Sequence, residues 1–133
     1  MNEQEHIRQA LHNEELFKKL TAKPFEAYDW AITVMFYCIL HFVDAYLRKN
    51  WNVIPQGHTA SARSGTIKDG RNDYVKKYMP RQVYSDYRML YDASMRARYE
   101  GAYLSPQGIS TYQKLFANEF TRLRQFFRQH LKS

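Results

Sequence analysis

Cysteine is nearly missing from this chain: Cys38 stands alone among 133 residues, so no disulfide can close within it. Such usage fits a reducing compartment. The five histidines are scattered, and no Cys/His cluster has the spacing of a zinc site. Glycine is scarce as well, five residues in all, and none builds a phosphate-cradling loop or a nucleophile elbow; an HExxH helix is also absent. Enzyme classes built on those signatures are excluded, and neither a metal nor a cofactor is expected. Sustained strict alternation of apolar and polar residues, the mark of strands, is lacking, as are repeats and low-complexity tracts. Acidic residues are the scarcer charge, 13 against 20 basic, for a net charge of +7.

What the chain does have is apolar and aromatic bulk, 44% and 16% of its residues. At this length that suits one domain, 1–133, with a real core. The densest apolar stretch runs from Asp29 to Arg48. Its polar residues are Asp29, Thr33, Tyr37, His41, Asp44 and Arg48, at steps of four, four, four, three and four. That spacing draws one polar line down a helix whose remaining circumference must be packed. The run Trp30–Leu47 approaches the roughly 20 residues of a membrane span. His41 and Asp44 inside it make a span costly, so no membrane partner is expected. The polar, mixed-charge start Met1–Gln9 argues against a secretory leader, and the expected location is the cytoplasm.

Periodicity predicts five helices and an all-α, up-and-down bundle. The first covers Asn2 to Leu20, and the second Phe25 to about Asn50. The third, Thr59 to Tyr78, is interrupted by Gly65 and Gly70, each costing about 1 kcal/mol in a helix interior, and is expected as two short pieces or a partly mobile stretch. Pro80 opens the fourth, which runs to Arg98. Ser105 caps the last, with Pro106 at its first position and Ile109, Tyr112, Phe116, Phe120, Leu123 and Phe127 as its buried stripe.

Three constellations can carry chemistry. Tyr37, His41 and Asp44 share one helix face, where a carboxylate raises the basicity of a neighbouring imidazole; the same three can equally satisfy one another as a buried polar set. His58, Ser61 and Arg63 fall by the N-terminus of the third helix, a setting for anions if that helix starts at Thr59. Otherwise they are loop residues and a cap. Arg96, Arg98 and Tyr99 end the fourth helix, where arginines complement the helix dipole; they can also clamp a phosphate while Tyr99 stacks on a base. The basic excess is uneven. Residues 48–133 hold sixteen Lys/Arg against six Asp/Glu, whereas residues 1–47 hold four against seven. Such a surface suits a polyanion or simply a solvated face, and no recognition helix for DNA stands out.

The segment Tyr28 to Leu47, with His58 to Arg63 and Ala97-Arg98-Tyr99-Glu100, resembles the HEPN superfamily, in particular its small stand-alone prokaryotic members. The resemblance implies a helical bundle that commonly dimerises around a shared cleft. Many such proteins are metal-independent endoribonucleases of defence or toxin–antitoxin systems, cutting RNA with an arginine followed after four to six residues by a histidine. Others lack the pair and bind nucleotides or partner proteins. This chain departs from the pattern: Tyr103, Leu104 and Ser105 stand where a histidine should follow Arg98. Arg124 and His130 have the spacing, but at the C-terminal end.

The expectation is therefore a HEPN-like RNA- or nucleotide-binding protein. Its catalytic candidates are His41, His58 and Arg98, and its binding candidates Tyr37, Asp44, Arg63, Arg96 and Tyr99. The alternative is a non-catalytic module that binds a nucleotide or partner protein and dimerises.

Overall fold

In the computed structural model, which describes residues 1–55, 57–58, 61–63, 66–68, 70–101 and 107–132, the chain enters helix α1 (Glu3–Leu20) through a reciprocal cap. The Asn2 side chain accepts from the Glu5 N–H at 2.8 Å, and the Glu5 carboxylate accepts from the Asn2 N–H at 3.1 Å. Two otherwise orphaned donors are satisfied at once. Acidic residues lie in the first turn and Lys18 and Lys19 in the last, both favourable to the helix dipole.

Helix α2 (Tyr28–Trp51) is the axis of the fold, with thirteen of its 24 residues buried. It starts three residues later than expected because Glu26 sits at a φ of 45°, and Asn52 ends it in the left-handed conformation that closes a helix. By length and mean hydropathy, 1.5, α2 qualifies as a candidate span, yet 72% of its apolar window is buried inside the protein. Its apolar circumference is used up by α1, α4 (Arg81–Tyr99), α5 (Gln107–Leu115) and α6 (Thr121–His130).

The expected helix over Thr59–Tyr78 is corrected. Ser61–Arg63 and Thr66–Lys68 form a two-stranded antiparallel hairpin, β1 and β2, with Ala62 opposite Ile67. Only Arg71–Tyr78 is helical, as α3. Gly65 together with the β-branched Thr66 and Ile67 weakens helix propensity over the first half. A helix becomes favourable where Asp73 can accept from the Gly70 N–H, at 3.0 Å. The architecture remains an all-α bundle with this small appendage. The expected cap at Ser105 and Pro106 lies outside the described residues.

Helices α5 and α6 are joined without a break by a π-helical turn, Phe116–Phe120. The reason is visible in the burial pattern. Tyr112, Leu115, Phe120, Leu123, Phe127 and Leu131 are buried, whereas Phe116, expected in the stripe, is only partly buried, so the step between fully buried residues from Leu115 to Phe120 is five where an α-helix would use three or four. One wider turn absorbs the extra residue and keeps both halves facing the core. Ile109, expected in the stripe, is 37% exposed.

Aromatic rings tie the core together. Phe17 of α1 presents its ring to the edges or faces of Tyr112, Phe116 and Phe120 at 6.3, 6.2 and 5.1 Å, and Phe42 stacks on Phe127 at 5.4 Å. Phe17 is wholly buried, whereas its neighbour Leu16 is 37% exposed. Phe17→Ala is expected to lower unfolding free energy by about 3–5 kcal/mol, and Leu16→Ala by only about 0.5 kcal/mol. Urea denaturation of both variants checks the difference.

Candidate functional site

The polar line of α2 does not close on itself. Among the described residues no hydrogen bond joins Tyr37, His41 and Asp44 to one another; each finds its partner on a different element. Asp44 meets Arg71 at the start of α3 in a two-point ion pair, Nε to Oδ1 at 2.7 Å and Nη2 to Oδ2 at 2.9 Å. His41 meets His6 of α1, Nδ1 to Nδ1, at 2.9 Å. Tyr37 accepts from Arg98 Nη1 of α4 at 2.8 Å.

Arg71 and His6 were not singled out from the sequence. For Arg71 only the demand was legible, since a buried carboxylate on a central helix needs a cation. His6 left a fainter trace: His6, Ala10, Asn13 and Phe17 are spaced four, three and four along α1, and Ala10, Asn13 and Phe17 are buried.

Arg71 also links the pair to His58. Its Nη1 lies 3.1 Å from His58 Nδ1, and a guanidinium can only donate. Nδ1 is therefore the acceptor, and neutral His58 carries its proton on Nε2. The ring is wedged between Phe36 and Tyr91, at 5.8 and 5.4 Å. Two backbone bonds hold the segment beneath: the Arg71 N–H donates to the Gly57 carbonyl at 2.6 Å and the Asn72 N–H to the His58 carbonyl at 2.8 Å. The loop thus lies over the start of α3, twelve residues beyond the expected start at Thr59. His58 was expected beside Ser61 and Arg63, whose side chains lie outside the described residues.

Burial pushes all three of these histidines toward the neutral form. His41 falls to about 4, through burial first and then the neighbouring His6 and Arg71, with Asp44 opposing. His6 is lowered mainly by burial, and His58 by burial and then by the charges of Arg71 and Arg98. The charges acting on His41 are those of His6, Asp44 and Arg71. Of these two histidines, the charge of Arg98 acts on His58.

Arg98 sits in the last turn of α4. Its Nε donates to the Ser94 carbonyl at 3.3 Å, and its guanidinium lies 5.4 Å from the ring centres of both Tyr37 and Tyr99. Together with Asp29, Trp30, Thr33, Ala97, Tyr99 and Gly101 it lines a cavity of about 400 Å³. Arg96, expected to share a clamp with Arg98, faces a separate groove with Met89 and Asp92, and reaches Glu100 only at 4.0 Å with both side chains 66% exposed. The Arg124–His130 pair does not converge either. Arg124 is buried against Glu14 at 2.9 Å and over the Phe42 ring, while His130 Nδ1 donates to the Phe126 carbonyl.

Two expectations follow. Arg71→Met strands the Asp44 carboxylate and is expected to cost about 3–5 kcal/mol, whereas pairing it with Asp44→Leu recovers most of that loss; chemical denaturation of the single and double variants measures both. Because His6, His41 and His58 bind protons less readily folded than unfolded, stability is complete above pH 6.5. It falls as the pH drops from 6.5 toward about 4, the folded value of His41. Thermal melts across that window, flattened in a His6→Leu/His41→Leu variant, check the assignment.

No curated protein and no solved structure matches the chain. The sequence model of one family, described as HEPN domain, matches residues 3–123, from the first residue of α1 into the first turn of α6. The helical architecture and a match of that extent agree: the chain belongs to the HEPN domain family.

Proposed function

We propose that the protein binds RNA or a nucleotide at Arg98 and cleaves RNA without a metal, with His58 as the proton-transferring group. The observation that carries this reading is the state of Arg98. Arg71, Arg122 and Arg124 each meet a carboxylate, but among the described residues none lies within ion-pair distance of Arg98. A half-buried guanidinium held by a tyrosine hydroxyl at a cavity wall is a cation prepared for an anion. Phosphate oxygens suit its planar fork.

In such a cleavage the ribose 2′-oxygen loses its proton and bonds to phosphorus. The bond from phosphorus to the 5′-oxygen breaks, and that oxygen takes up a proton. Arg98 stabilises the charge that builds on the phosphoryl oxygens, and a neutral imidazole moves the protons. His41, bound to His6 of α1, has a positioning role. Pairing of two copies and a defence or toxin–antitoxin setting go with this activity in the family that the chain joins.

One observation favours a second reading, a non-catalytic module that binds a nucleotide or a partner protein. Arg71 occupies Nδ1 of His58, so in this tautomer the ring offers a proton and has no lone pair ready to take one. Incubation with labelled single-stranded RNA and the matching DNA, in EDTA, separates the two. Cleavage of RNA alone is expected, reduced about 10²-fold or more by Arg98→Ala and by His58→Ala and far less by His41→Ala. Binding of RNA without cleavage selects the second reading, and absence of both binding and cleavage overturns the first.

A further inference from the structure

The cavity beside Arg98 carries more than a cation. Two large aromatic side chains stand unusually open at its walls, Trp30 at 61% and Tyr99 at 72% exposed. They come from opposite ends of different helices, Trp30 from the first turn of α2 and Tyr99 from the last residue of α4. Gly101, at a φ of 62°, follows α4 and lines the same cavity. Exposed rings and an arginine lining one cavity are what a nucleobase and its phosphate require: a face to stack on and a cation to meet. A volume of about 400 Å³ lies within the range of small-ligand sites, roughly 300–1,000 Å³.

The remaining polar group selects among bases. Asp29 lines the same cavity, half-buried, one residue before Trp30. Thr33, the other polar residue of α2 at the wall, already donates to the Asp29 main-chain carbonyl at 3.1 Å. A carboxylate accepts through two oxygens and donates nothing. Its match on a base is a pair of adjacent N–H donors on one edge. Guanine alone among the four RNA bases has such a pair, N1–H and the N2 amino group; adenine, cytosine and uracil each place an acceptor beside their donor.

Resting on the reading of this site as one for RNA or a nucleotide, we propose that it is a guanine subsite. The base stacks on Trp30, its N1–H and N2–H donate to the Asp29 carboxylate, and its phosphate meets Arg98. Tyr99 closes the outer side. Substrate choice then follows from Asp29, which has no part in cleavage.

Tryptophan fluorescence tests this directly, because the chain has two tryptophans and the second, Trp51, lies at the other end of α2, about 30 Å along the axis, stacked on Tyr78. In a Trp51→Phe background, titration with GMP is expected to quench Trp30. IMP, which lacks the N2 amino group, and AMP, CMP and UMP are expected to bind about 10- to 100-fold more weakly, the discrimination of a good two-point base contact. Asp29→Asn should level GMP with IMP, and Trp30→Ala, followed by calorimetry, should weaken all five. Equal binding of the five nucleotides, or no binding of GMP, overturns the guanine subsite. If RNA is nevertheless cut in an Arg98-dependent manner, the proposed function stands without it. GMP selectivity that depends on Asp29, in a protein that cuts no RNA, leaves the subsite standing and removes the cleavage.

Discussion

The ion pair of Asp44 with Arg71 is the contact from which the rest of the polar interior hangs. Both side chains are about nine-tenths removed from solvent, where an unmatched charge would cost several kcal/mol. Two-point geometry lets one carboxylate take two of Arg71's N–H groups, and a third goes to His58. One pairing thereby settles where α3 docks on α2, where the Gly57–His58 segment lies, and which nitrogen of His58 holds its proton. The short, polar helix α3 is further fixed by Val75, by buried Asn72, whose Oδ1 accepts from the Tyr87 hydroxyl of α4, and by Tyr78 stacked on Trp51 of α2.

Around that pair the helix α2 distributes its polar residues among separate partners rather than assembling them. Tyr37 is given to α4, His41 to α1 and Asp44 to α3. The arrangement sets Arg98 apart from the arginines that cross-link elements. Arg71, Arg122 and Arg124 neutralise carboxylates and act as cross-links between elements. Arg98 is held by a phenol, a carbonyl and two tyrosine rings, which orient it without neutralising it. Orientation without neutralisation is the condition under which a cation keeps its attraction for an incoming anion.

Much of the fold was legible in the sequence because helices announce themselves by period and cap. The polar line from Asp29 to Arg48 and Pro80 before α4 both belong to local chemistry. The hairpin was not legible, since three-residue strands are too short for alternation to register and Gly65 and Gly70 read equally well as helix breaks. The site was legible in part. Tyr37, Arg98, Asp44 and His58 could be named from their types and positions, but their pairing depends on how α1, α3 and α4 meet α2, which no spacing along one helix encodes. Arg71 and His6 escaped for that reason. Arg96 and Arg98 illustrate the reverse error: two residues apart on a helix, they point some 200° apart around its axis and so face different cavities.

The π turn between α5 and α6 has a consequence for how the length of this chain can vary. In an ordinary helix, loss of one residue rotates everything beyond it by about 100° and turns a buried stripe to water. Here Leu115 and Phe120 are five residues apart and both buried, so loss of a residue between them leaves a step of four, which an α-helix already accommodates. The turn would relax to α geometry, and Leu123, Phe127 and Leu131 would keep facing the core. The last helix thus holds one spare residue, at the one point along it where sequence length and side-chain direction are uncoupled.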